Sequence, residues 1–137
     1  MDRDVASELA GSVPELAADW AANAEDLDLS TVALGHLARR LIALSDAKPT
    51  VDIGPLFAEV EVRLSSGDAI TRDILITGFL EALQNVDAGR ADRWRAVLGP
   101  STAAAWNALN RLWAGRMKPG EWNAFVSGAH VTFTDAD

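Results

Sequence analysis

Between Asp68 and Asp87 the chain is apolar on nearly every side: Ile70, Ile74, Leu75, Ile76, Phe79, Leu80, Leu83 and Val86 spread, at about 100° per residue, around most of a helix's circumference. Such a helix has to be enclosed by others. Asp68 stands where a helix N-cap is expected. Gly78, in the middle of the stretch, costs about 1 kcal/mol relative to Ala, so a close crossing by a neighbouring helix is expected there. Asp73, Thr77, Glu81 and Gln84 fall within a stripe of about 80° on this cylinder. They read as the helix's one solvent-facing edge, with a partner-facing edge or a polar pocket as the functional alternative.

The remaining segments supply the enclosure. A short helix is expected from Asp4 to Ala10, and a second from Pro14, with Ser12 and Glu15 at capping-box spacing and Leu16 and Trp20 on one side. A third runs from Ser30 to about Ser45 and aligns Leu34, Leu37, Leu41 and Leu44. A fourth begins at Pro55 and carries Leu56, Phe57, Val60 and Leu64. After the central helix come a short helix over Ala91 to Leu98, a longer one after Gly99-Pro100-Ser101 with Trp106, Leu109, Leu112 and Trp113 on one stripe, and a last short one over Glu121 to Val126. No run alternates strictly enough to propose a sheet. The expected fold is all-α: a single-domain irregular bundle of about seven helices in residues 1–128, with helical-hairpin (HEAT-like) stacking, followed by a weakly specified acidic tail, 129–137. A chain of 137 residues that is 49% apolar can build this core without metal or disulfide staples.

Charge narrows the choice of partners. The net −8 arises entirely in the first 68 residues, and the remainder balances. This sign repels a phosphate backbone and attracts a basic protein surface, so a protein partner is expected and nucleic acid is not. Acids gather at Asp19, Glu25, Asp26 and Asp28, and again at Glu59 and Glu61; either group is a solvated face or a docking patch. Of five Trp, Trp106 and Trp113 read as core, whereas Trp94 and Trp122, beside Arg93, Arg95 and Glu121, read as partly exposed contact residues. The candidate contact set is therefore Asp19, Glu25, Asp26, Asp28, Glu59, Glu61, Asp73, Glu81, Trp94 and Trp122.

Several chemistries find no residues here. There is no Cys for a thiol nucleophile or a thiolate metal site, and no glycine-rich phosphate loop, nucleophile elbow or two-histidine zinc helix. His36 projects between Arg39 and Arg40 and reads as a surface residue; a metal site would want a ligand at position 40. Neither catalysis, metal nor cofactor is expected. The opening residues do not resemble an export signal and the run Ile74 to Leu80 is too short to span a bilayer, so the cytoplasm is the expected compartment.

The string Leu75-Ile76-Thr77-Gly78-Phe79-Leu80-Glu81-Ala82-Leu83-Gln84-Asn85, followed by Leu98-Gly99-Pro100-Ser101-Thr102 and by Ala105-Trp106 with Leu109 and Trp113, resembles a group of small uncharacterised bacterial all-helical proteins. These in turn are similar to immunity-type proteins found near secreted toxins. The similarity covers about residues 30 to 115, and no catalytic residue carries over from it. It implies a small binding protein that neutralises a toxin domain by occluding its active surface, and a basic, nuclease-type toxin suits the charge. The alternative is a helical adaptor or regulatory scaffold that dimerises through its Trp-rich C-terminal part. The oligomeric state stays open.

Overall fold

The computed structural model describes residues 2–22 and 30–128, and all regular structure among them is helical. The elements are α1 (Asp2–Gly11), α2 (Pro14–Ala22), α3 (Ser30–Ala47), α4 (Gly54–Ser66), α5 (residues 69–86), a 3₁₀ segment (Ala88–Val97), α6 (Pro100–Trp113) and α7 (Glu121–Val126). The fold is all-α, and none of its described helices is long and apolar enough to cross a membrane. The strand-like piece Val131-Thr132-Phe133 and His130 lie outside the described residues.

The enclosed helix is α5. It starts at Asp68, whose carboxylate accepts the Thr71 backbone N–H at 2.8 Å, and α3, α4, α6 and α7 pack around it. Ile74, Leu75, Ile76, Phe79, Leu80 and Leu83 are buried against Leu34, Leu37 and Leu41 of α3 and against Leu56, Phe57, Val60 and Leu64 of α4. Phe57 lies 6.0 Å from Phe79 and 6.1 Å from Trp94 by ring centroid. Such aromatic pairs contribute about 1 kcal/mol each beyond their buried area. The crossing at Gly78 is as close as its glycine suggested: a Cβ there would lie 3.1 Å from Thr31 Cα and 3.2 Å from Leu34 Cβ.

α5 is not uniform. Ala69–Ile74 and Glu81–Val86 are α-helical, but Leu75–Leu80 between them is a π-helical turn. An i→i+5 turn takes up one extra residue, so everything after it is set back by about 100° relative to a regular helix. This corrects the expected polar stripe. Asp73 is exposed and Thr77 half-buried as a regular helix would place them, but Gln84 is buried and its neighbour Asn85 takes the exposed position. Gln84 instead donates to the Trp106 carbonyl at 3.1 Å and accepts from the Trp113 indole at 3.0 Å, tying α5 to α6.

Two side chains join helices end to end. Arg72 of α5 donates to the carbonyls of Phe125 (2.8 Å) and Val126 (3.0 Å) at the end of α7, and to that of Leu64 near the end of α4. Its guanidinium also lies 5.5 Å from the Phe125 ring centre. Cations at helix C-termini satisfy carbonyls that have no partner within the helix. Glu61 does the reverse at the start of α6, accepting the N–H of Ser101 (2.9 Å), the N–H of Thr102 (2.8 Å) and the Thr102 hydroxyl (2.8 Å). The capping box expected between Ser12 and Glu15 gives way to other bonds: Ser12 Oγ donates to the Leu9 carbonyl, and Glu15 pairs with Lys48 at 2.8 Å.

Candidate functional site

Most of the acids that look free in the sequence are occupied in the fold. Asp19 takes Arg40 in a two-pronged pair, both bonds at 2.7 Å, so it is not the free docking acid expected. Glu59 and Glu8 share Arg63, at 3.1 and 2.6 Å. Glu61 is likewise no free surface acid but the cap of α6. Burial alone would raise its carboxyl, yet the backbone N–H groups of Ser101 and Thr102 and their hydroxyls outweigh that and hold it below the usual glutamate value. Asp46 pairs with Arg90 and Arg93, both at 2.9 Å, and these two cations hold it below the usual aspartate value. The sequence's charge imbalance is thus partly cancelled between its two halves. Glu25, Asp26 and Asp28 lie outside the described residues.

The tryptophans also sort differently from expectation. Trp94 is 1% exposed: its indole N–H donates to buried Asp87 at 2.8 Å, and the Arg93 guanidinium lies 4.7 Å from its ring centre. The arginine beside it in sequence therefore covers the ring rather than marking an exposed contact. Trp106 is buried as expected, whereas Trp113 is 52% exposed, because α6 ends there and its indole reaches back to Gln84. Trp122 is half-buried beside Phe125. His36 is half-buried rather than fully solvated, with its ring 5.3 Å from that of Trp20.

Of the acids whose side chains are described, Asp73 and Glu81 alone have neither an ion pair nor a hydrogen-bond donor on the carboxylate. Both stand on the one side of α5 that the other helices leave open, and each lines a depression. The first, of about 290 Å³, lies between α3 and the later part of α5; Val32, Gly35 and Arg39 form one wall, and Gly78, Glu81 and Val86 the other. Burial pushes the Glu81 carboxyl above its usual value, with no compensating cation. Arg39, exposed on the opposite wall, forms no ion pair among the described residues. The second depression, of about 330 Å³, lies between the start of α5 and α7, and includes Ile70, Asp73, Trp122 and Val126. Ile70 is 65% exposed, and Val32 and Val86 are each 48% exposed, so apolar side chains sit at both depressions beside an unpaired acid. Among the described residues no group of acids and histidines could hold a metal ion.

Of the contact residues expected from the sequence, Asp73, Glu81 and Trp122 line the two depressions; Val32, Arg39 and Val86, which also line the first, were not among them. Val32 and Arg39 fall outside the leucine arc of α3, which was a usable signal. Val86 was assigned to the apolar cylinder because the π-helical turn was not foreseen.

Nothing among curated proteins and nothing among solved structures matches this chain. A family model described as a domain of unknown function, DUF7674, matches residues 6–114, which takes in the later part of α1, α2 to α6 and both walls of the first depression and leaves α7 outside. The chain belongs to the DUF7674 family.

Proposed function

We propose that this chain is a protein-binding module of the immunity type, which neutralises a toxin domain by covering its basic active surface with the open side of α5. The observation that carries the reading is the pair of unpartnered acids, Asp73 and Glu81, on α5, with exposed Ile70 and Val86 of the same helix and Val32 of neighbouring α3 at the two depressions they line. Apolar anchors beside an unsatisfied charge are the makings of an interface in which a few residues carry most of the affinity. The acidic residues Glu25, Asp26 and Asp28 precede Thr31 and Val32 closely in sequence.

Cells that express a neighbouring gene's product with toxin activity test the reading: co-expression of the intact chain restores growth, and the two proteins co-purify at low salt. Association slows as salt rises, because the long-range attraction is screened. Absence of both protection and co-purification overturns it. The adaptor reading keeps one supporting observation, exposed Trp113 at the end of α6. Light scattering over a dilution series separates the two, since an adaptor that pairs through Trp113 self-associates and a Trp113→Ser variant does not.

A further inference from the structure

Resting on the reading of this face as a protein-docking surface, we infer that the depression between α3 and α5 receives one cationic side chain of the partner, a lysine or arginine, with Glu81 as its counter-charge. The shape suits a long unbranched stem. Gly35 and Gly78 face each other across the helix crossing, with the Gly78 carbonyl 3.9 Å from where a Cβ of residue 35 would lie, and Ala82 continues that floor. Val32 and Val86 stand beside it as apolar surface for methylene groups, and a basic side chain buries its stem along such surface while its charged end seeks an acceptor.

The acceptor is Glu81. It is half-buried, no described donor reaches its carboxylate, and burial alone acts on its charge. A partly desolvated carboxylate without a donor gains more from an arriving cation than a fully hydrated one does. Thr77 cannot supply that donor, since its hydroxyl is committed to the Asp73 carbonyl at 2.7 Å. Arg39 carries the opposite charge on the other wall, its guanidinium 3.8 Å from the Cβ position of residue 35, and it is exposed to water. Hydration already satisfies Arg39, so an anionic group gains less on that side. Asp73, one helix turn before Thr77 and unpartnered, adds attraction for a cation along the same face.

The test needs no toxin. The ¹⁵N-labelled intact protein is titrated with N-acetyl-arginine N-methylamide, and in parallel with the norleucine and glutamate analogues, while the amides of Thr31, Gly35, Gly78 and Glu81 are followed. The arginine probe shifts these amides along a saturable curve. Glu81→Gln raises its Kd at least fivefold, and Arg39→Gln, which removes a repelling charge, lowers it about twofold. Equal shifts with norleucine, a stronger response to the glutamate probe, or an arginine Kd unchanged by Glu81→Gln each overturn the inference. The thermal midpoints of both variants show that they remain folded. A chain that gives no protection against a toxin but takes the arginine probe at Glu81 loses the proposed function and keeps the site. One that protects equally well with Glu81→Gln and ignores the probe keeps the function and loses the site.

Discussion

Replacing Glu61 by alanine removes more stability than its place on a helix surface suggests. Its carboxylate accepts three hydrogen bonds at the start of α6, from the N–H groups of Ser101 and Thr102 and from the hydroxyl of fully buried Thr102. Gly99, the residue at the N-cap position, has no side chain to take over. Losing an N-cap side chain costs about 1 kcal/mol, and the charge of Glu61 at the positive end of the helix and the stranded Thr102 hydroxyl add to that, for a total of about 2–3 kcal/mol. For a chain of this length that lowers the thermal midpoint by about 6–12 °C. Urea unfolding followed by tryptophan fluorescence at pH 7 measures it, with Glu59→Ala as control. Glu59 is exposed and only shares Arg63 with Glu8, and its loss costs no more than about 0.5 kcal/mol. The acid limb gives a second reading. Because the folded carboxyl titrates below the usual glutamate value, its contribution is present above that value and is lost as pH falls through the folded one. The gap between parent and Glu61→Ala therefore narrows toward low pH. A Glu61→Ala variant within 0.5 kcal/mol of the parent at pH 7, or a gap that widens in acid, refutes this account of the joint between α4 and α6.

Gly35→Ala stabilises the protein by about 0.5–1 kcal/mol through helix propensity, since its Cβ meets only ordinary contacts. Gly78→Ala, pressed against the Thr31 backbone, loses about 1–2 kcal/mol despite the same propensity gain, and denaturant curves of the pair check both signs. Asp87→Ala strands the buried Trp94 indole N–H and leaves Arg93 with Asp46 alone, costing about 2–4 kcal/mol by calorimetry. Glu81→Gln raises the thermal midpoint at pH 7. The burial that lifts this carboxyl's titration makes its ionised form a burden on folding above the usual glutamate value, so the difference fades as pH drops below that value and both side chains are neutral.

The helical class and the Asp68 cap were legible in the sequence because each depends on neighbours a few residues away, and Gly78 signalled a close crossing by its own missing side chain, though not which helix crosses there. The pairings that decide which charges are free were not. Arg40 reaches Asp19, Asp46 reaches Arg90 and Arg93, and the groups on Glu61 lie 40 and 41 residues further along. Charge counting along a chain cannot see such contacts, so it marks Asp19, Glu59 and Glu61 as a docking patch although each is occupied in the fold. Trp94 misled for a related reason: flanking arginines suggested exposure, whereas one of them packs over the ring and the indole bonds to an aspartate seven residues earlier. Gln84, counted with Asp73 and Glu81 by regular periodicity, turns inward after the π-helical turn.

That turn amounts to one surplus residue stored within α5. Because Leu75–Leu80 absorbs it as extra girth, the residues that follow stand where they would in a plain α-helix one residue shorter. Removing a single residue from this stretch should let the helix relax to regular geometry while Gln84 still meets α6 and Asp87 still meets Trp94. A deletion in the middle of α3 has no such slack and would swing half of its leucines out of the core. Within the family, a one-residue difference in length is therefore expected at this turn, with the side chains on either side of it unchanged.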